Sequence, residues 1–348
     1  MKGRNALRRG RRHANRGLTL VELMVAMVIG LVIVLAAVAA FTATRRSATT
    51  VDAASQLRDD SRFAMDVIQR LAVQTGFEDL PFVSRPYLGS ISTYQGKNGI
   101  NPSTLKPAVY GYNNAVPSTT DPLNTATART SGSLGYGSDV LILQYGTVKV
   151  TDTTTDGSMI SCDGAAPTSP AVDRGDRAVS ILYVNTSSGG EPALMCMKRN
   201  DSTGTFSTPA PLLKGVESFQ VLYGVDKVVA NTAPTGNVDS VPDSYLRGDQ
   251  MTVTGNDAAT LTNWRRVRSL RIGLVLRGPP GSAQSSESQT LYPLGSNYES
   301  TSDPGSKFTA TDSRLRQVVT FTVQLRNCQN QGYQPASSTT PCDVVLPL

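Results

Sequence analysis

Apolar residues are distributed along this chain in three successive textures, and each predicts a different element. Residues 23–41 are apolar without a break, nineteen in a row. A helix of that length crosses a hydrocarbon core of about 30 Å. Beyond it the apolar positions thin to Val51, Ala54, Leu57, Ala64, Ile68 and Leu71, at spacings of three, four and seven. That is the period of one helix face, and Arg58, Asp59, Asp60, Arg62, Asp66 and Arg70 lie mostly off it. No proline occurs between Leu18 and Leu80, Gly76 offers a stop, and Pro81 bars continuation. The pattern predicts one helix over 18–76, about 88 Å long at about 1.5 Å per residue. Its first part, 18–44, reads as the membrane-spanning segment, and 45–76 as the amphipathic continuation that packs on a globular domain.

From residue 77 to 348 the texture is short apolar runs between loops rich in Ser, Thr, Gly, Pro and Asn. Strands are expected at 139–145, 178–185, 193–198, 217–223, 269–277 and 317–326. In the last two the alternation is plain. Leu270, Ile272, Leu274 and Leu276 share one face, as do Val319, Phe321, Val323 and Leu325, whereas Thr320, Thr322, Gln324 and Arg326 point the other way. Half-buried antiparallel strands have this period. The fold class is α+β, a long α-helix followed by a β-rich domain with an antiparallel sheet. The stretches around 115–135, 151–175, 230–262 and 278–312 are long for loops and suggest an elaborated surface. There is no internal repeat.

Charge refines the picture. The formal net charge of the whole chain is +6, from 33 Lys and Arg against 27 Asp and Glu. Seven of those cations (Lys2, Arg4, Arg8, Arg9, Arg11, Arg12 and Arg16) precede the apolar run, with no acid among them. Without them 26 cations face 27 acids, a net charge of −1. Overall charge therefore gives no case for binding nucleic acid. The seven cations instead hold the amino end on the cytoplasmic side of a membrane, with the rest of the chain exported.

The single histidine, His13, also lies among these first residues. The remainder cannot build a Ser-His-Asp triad, a Cys-His pair or a His-ligated zinc site. No serine or acid pair such as Asp59-Asp60 stands in a recognisable catalytic context. Neither an enzyme, a cofactor nor a metal is expected. The four cysteines, Cys162, Cys196, Cys328 and Cys342, all fall in the exported part and fit no CxxC motif. Their even number in an oxidising compartment reads as two disulfides. Three connectivities are open, and Cys162–Cys196 with Cys328–Cys342 is favoured because it closes the shortest loops.

One acid breaks the apolar pattern at its start. Arg16-Gly17-Leu18-Thr19-Leu20-Val21-Glu22 leads directly into the apolar run. A carboxylate in hydrocarbon costs about 2.5–3.5 kcal/mol at a helix centre, and less near an end. A plain anchor would gain by losing Glu22, so a partner for it is expected. An ordinary secretory signal, cut near Ala37-Val38-Ala39, fits less well, because the run is longer than such signals use and helical patterning continues past it. An uncut anchor is the other alternative.

The segment resembles the class III signal of type IV prepilins, in which a basic leader ends in Gly and a Glu stands fifth after the cut. Gly17, Leu18 and Glu22 fill those places, with Leu18 where the family usually has Phe. The resemblance implies removal of leader 1–17 by a prepilin peptidase, methylation of the new amino terminus at Leu18, and pairing of Glu22 with the terminal amine of a neighbouring subunit. Three later segments are similar to the PilW family of minor type IV pilins. They are Tyr223-Gly224-Val225-Asp226 followed by Asn237-Val238-Asp239 and Tyr245; Trp264, Val267 and Arg271-Ile272; and Leu315-Arg316 with Leu325-Arg326-Asn327. Ser61-Arg62-Phe63-Ala64-Met65 on the long helix fits too. The Cys328–Cys342 loop resembles the disulfide-bounded loop of many pilins.

This likeness implies a pilin-like fold and a non-enzymatic subunit of the inner membrane, with its large domain in the periplasm before it joins a pilus. It implies as partners the prepilin peptidase, inner-membrane lipid, other minor pilins, the major pilin and a PilY-type adhesin. The role implied is to prime pilus assembly and form the tip complex. A minor pseudopilin of type II secretion and a single-pass extracytoplasmic binding protein are the alternatives.

Two further motifs have plainer readings. Asp152-x-Thr154-x-Asp156-Gly157 with Asp163 partly matches a calcium loop, and a simple polar turn accounts for it better. Trp264-Arg265-Arg266-Val267-Arg268, with Arg271, could contact single-stranded DNA. A strand entrance whose arginines meet local carboxylates or solvent is the preferred reading.

Overall fold

A computed structural model describes residues 19–79, 106–171, 176–199, 204–236, 238–283 and 285–326. The chain divides into two compact units, one up to Val51 and one from Asp52. Helix α1, Leu20–Gln74, supplies residues to both.

In the first unit α1 carries exposed apolar surface over its opening turns, interrupted by the exposed Glu22. Between Leu20 and Phe41 every large aliphatic or aromatic side chain is exposed. It is the one described helix long and apolar enough to cross a membrane.

In the second unit α1 turns a stripe inward. Ala53, Leu57, Ala64, Ile68, Leu71 and Ala72 are buried, with Ser61 between them. The stripe begins at Ala53, whereas Val51 is exposed and Ala54 only half-buried. Arg58, Arg62, Asp66 and Arg70 face solvent as expected.

Thirteen strands follow among the described residues. They are β1 (Val109–Tyr112), β2 (Ala115–Pro117), β3 (Ala126–Ala128), β4 (Val140–Tyr145), β5 (Ala178–Thr186), β6 (Pro192–Lys198), β7 (Ala210–Lys214), β8 (Val216–Val225), β9 (Ser244–Leu246), β10 (Val267–Arg277), β11 (Gln289–Leu291), β12 (Phe308–Ala310) and β13 (Arg316–Gln324). A second helix, α2 (Asp257–Arg265), precedes β10. Two antiparallel sheets result, ordered β1-β4-β5-β6-β7 and β13-β10-β8-β9, with hairpins β2-β3 and β11-β12 beside them. The chain is α+β. Each of the six expected strands is present, within three residues at either end. The long loops hold short elements that no apolar periodicity announces, since strands of three residues are too brief to show one.

Gly215 takes the chain from one sheet to the other. It lies between β7 and β8 at φ 81°, and a Cβ there would meet the Arg277 carbonyl oxygen at 2.8 Å. Both the conformation and the space call for glycine. Residues of α1 and of both sheets then share one core, including Ile68, Leu71, Leu143, Ile181, Phe219 and Leu274.

The half-buried reading holds for β13, where Val319 and Val323 are buried while Thr320, Thr322 and Gln324 are exposed. It fails for β10. Ser269, Gly273 and Val275, on its supposed outer face, are buried as well. The segment around Pro293 lies so close over Gly273 that a Cβ would strike the Pro293 carbonyl.

Candidate functional site

The start of α1 is the first candidate. Thr19 caps the helix, its hydroxyl oxygen accepting the Glu22 amide hydrogen at 3.3 Å. Thr19-Leu20-Val21-Glu22 is thus the Thr-x-x-Glu pattern of a capping box, with Glu22 in the first turn, where the helix dipole favours an anion. The sequence reading missed Thr19, although the spacing of the two residues was enough to find it. Glu22 is exposed. Gly17 and Leu18 lie outside the described residues.

The disulfide expectation is half accounted for. Cys162 and Cys196 are bonded, with Cα atoms 5.7 Å apart. Cys328 and Cys342 lie outside the described residues. The bridge ties the loop after β4 to β6, and that loop also holds the end of α1. Gln74 donates its amide to the Ile160 carbonyl and accepts the Ile160 N–H at 3.2 Å. Tyr145 reaches the same carbonyl at 2.7 Å.

Several motif residues, among them Tyr223, Asp226, Asp239, Tyr245 and Trp264, lie in one region around Asp226, just past the end of β8. Asp226 is fully buried, and its carboxylate accepts the N–H groups of Asp239 at 3.0 Å and Ser240 at 2.6 Å. The Arg268 guanidinium stands 3.7 Å away, and the Asp226 N–H donates to the Arg266 carbonyl. Trp264, near the end of α2, meets Tyr223 edge-on with ring centroids 4.6 Å apart. Tyr245 on β9 accepts from the Ser269 hydroxyl at 3.2 Å. Buried carboxylates need such donors, so these residues form the scaffold that joins β8, β9, α2 and β10.

The nucleic-acid candidate dissolves in the same geometry. Arg266 is spent on the carbonyls of Lys227, Thr235 and Gly236. Arg268 is buried. Arg271 donates to the Leu294 carbonyl and lies over the Tyr298 ring, and Trp264 is itself buried. The expectation that these arginines meet carboxylates or solvent needs correction as well, because most meet backbone carbonyls. The sequence reading did not foresee helix α2, which carries Trp264 and ends at Arg265, just before these residues.

The calcium-like stretch spends its acids locally. Asp152 pairs with Lys149 at 2.5 Å, Asp163 pairs with Lys198 at 2.5 Å, and Asp156 accepts from the Ser158 amide and hydroxyl. Among the described residues no three acids, histidines or cysteines cluster as a metal site.

Asp139, just before β4, is buried and had drawn no notice in the sequence. One carboxylate oxygen accepts the Asn114 N–H at 3.0 Å and the other the Val221 N–H at 2.8 Å. Burial pushes its pKa well above the ordinary carboxylate range, against the pull of those two bonds. It stitches the two sheets together.

Residues 181–327 match the family described as "Type IV Pilus-assembly protein W", and residues 12–38 match the "Prokaryotic N-terminal methylation motif". The chain is therefore similar to the PilW family over 181–327 and carries the methylation motif over 12–38. The PilW match takes in the whole Asp226 cluster, from within β5 to just past β13. The methylation motif takes in Gly17, Leu18, Glu22 and most of the exposed apolar run. Among solved structures, a type IV-like pilin from Thermus thermophilus aligns at 15% identity, covering 79% of this chain and 98% of that one, with a TM-score of 0.34. A likeness at that score carries no argument about fold or function. Among curated proteins none matches.

Proposed function

We propose that this chain is a minor type IV pilin that helps to prime pilus assembly and takes part in a tip complex. The observation that carries the reading is the methylation motif lying on a helix whose apolar opening turns are wholly exposed, ahead of a PilW domain. A prepilin peptidase cuts between Gly17 and Leu18 and the new amine is methylated. Before that the amino end is cytoplasmic, α1 spans the inner membrane, and the domain from residue 77 is periplasmic.

The mechanism is packing. Apolar surface that has no cover within its own chain is buried against the equivalent helices of other minor pilins and the major pilin, at about 25 cal/mol per Å². Glu22 neutralises the free α-amine of a neighbour, which fixes axial register because two uncompensated charges in an apolar environment are far costlier than one pair. A PilY-type adhesin is a further partner for a subunit at the tip. Cys328 pairs with Cys342 as the second disulfide. The subunit is structural and needs no cofactor.

The test is mass measurement of the processed protein together with pilus assays on Glu22→Ala. The expected result is an amino terminus at a methylated Leu18, normal export of the variant and loss of piliation. A chain still beginning at Met1, or a variant that piliates normally, refutes the reading.

A further inference from the structure

Arg177, immediately before β5, is a buried cation with less around it than its chemistry requires. Its Nη2 donates to the Lys106 carbonyl at 2.7 Å, while Nε and Nη1 are buried with no hydrogen-bond partner. Nor does it make an ion pair among the described residues. Other buried arginines are better served. Arg129 donates to the carbonyls of Ala115, Leu134, Ser138 and Val184, and Arg268 has the Asp226 carboxylate beside it. Burial pushes the Arg177 pKa down to about 10, and Arg199 and Arg265 push it the same way, against the pull of Tyr110 and Glu78. The group still carries its charge at neutral pH. A buried charge without partners is costly, so a countercharge is expected beside it.

Arg177 lines a cavity of about 20 Å³ in the second unit. Arg199, at the end of β6, is a second wall, half-buried and also without an ion pair among the described residues. Asp176 is the one acid in the lining, so two cations against one acid leave a net charge of +1. Thr147, buried just past β4, adds a hydroxyl that reaches the Ser169 carbonyl only at 3.5 Å, a distance at which little is lost by turning to a better acceptor. We propose that this cavity binds a single chloride ion, held by Arg177, Arg199 and the Thr147 hydroxyl. Size favours a monatomic anion, because the space takes about one particle of water's size and a tetrahedral oxyanion is too large for it. Charge favours an anion over water. Water offers an acceptor but no countercharge, whereas a halide offers both and accepts donors from any direction. Bound there, chloride ties the chain after β4 to the ends of β5 and β6, and by mass action the stability of the domain follows the chloride concentration around it.

The test uses the full chain in micelles of a non-ionic detergent. Binding is read from the quadrupolar broadening of the chloride NMR line. Stability is read from thermal unfolding followed by Trp264 emission, with sodium chloride exchanged for sodium gluconate at constant ionic strength so that screening stays the same. The parent is expected to broaden the line saturably and to melt several degrees higher in chloride. Arg177→Met should abolish both effects, and Arg199→Gln should weaken chloride binding about fivefold, as loss of a partly exposed charge does. Arg58→Gln, on the solvent face of α1, should leave both as in the parent. Sulfate should fail to displace the bound chloride. Equal melting of the parent in chloride and gluconate, broadening that either cavity variant leaves unchanged, or displacement by sulfate overturns the proposal. Arg199 is only half-buried, at the end of its strand, so its variant decides the matter even where Arg177→Met fails to fold.

Discussion

At the scale of single residues, the groups that matter most in the large domain are buried carboxylates held by backbone amides. Asp226 and Asp139 are both buried and each accepts two N–H groups from segments distant in sequence. Replacing Asp139 with Asn keeps the shape but turns one acceptor into a donor, which then faces an N–H. The expected cost is about 1–3 kcal/mol, the desolvation penalty of one orphaned buried group. A chemical denaturation midpoint unchanged by Asp139→Asn would contradict that account. Glu22 is a different kind of acid. In the isolated chain it is exposed at a capped helix start, so its removal is expected to touch assembly and leave the domain's stability alone.

At the scale of elements, β5-β6, β8, β10 and β13 are laced by a charged network at one end of the domain. Arg277 donates to Glu191 at 2.5 Å and to Glu217 at 3.0 Å, and Arg316 donates to Glu217 at 2.6 Å and to Asp312 at 2.5 Å. The hydrogen bond from Arg277, with further help from Arg314, holds Glu191 below its ordinary pKa. The bond from Arg316 does the same for Asp312. A depressed carboxylate binds its proton less readily folded than unfolded. It therefore contributes stability above the ordinary carboxylate range, and that contribution disappears as pH falls through the folded values, below about 4. Urea midpoints taken from pH 6 down to pH 3 should fall more steeply in the parent than in the Glu191→Gln, Asp312→Asn variant. Parallel curves would show that the network does not couple to folding.

At the scale of the whole molecule, the Cys162–Cys196 bridge closes a span of 34 residues. By chain entropy it is expected to stabilise the domain by about 3–4 kcal/mol. Reduction should lower the melting temperature of the domain and expose the loop around Ile160 first, because that loop is held between the bridge and Gln74. A reduced protein that melts with the oxidised one would overturn this.

Much of the architecture was readable in the one-dimensional pattern. The apolar run at 23–41, the stripe through Leu57, Ala64, Ile68 and Leu71, and the alternation in β13 are local periodicities, and a local periodicity dictates an element whatever surrounds it. Elements too short to have a period, such as β9 and β11, left no such mark. Nor could the pattern say that the supposed outer face of β10 is covered, that Trp264 and its arginines are turned inward onto carbonyls, or that Asp139 joins two sheets. Those outcomes depend on which distant segments meet. The sequence by itself determined the elements and their order, because backbone geometry repeats over a few residues. The tertiary structure alone decided which polar groups are buried and by what they are held, because burial is a property of contacts between residues tens to a hundred positions apart.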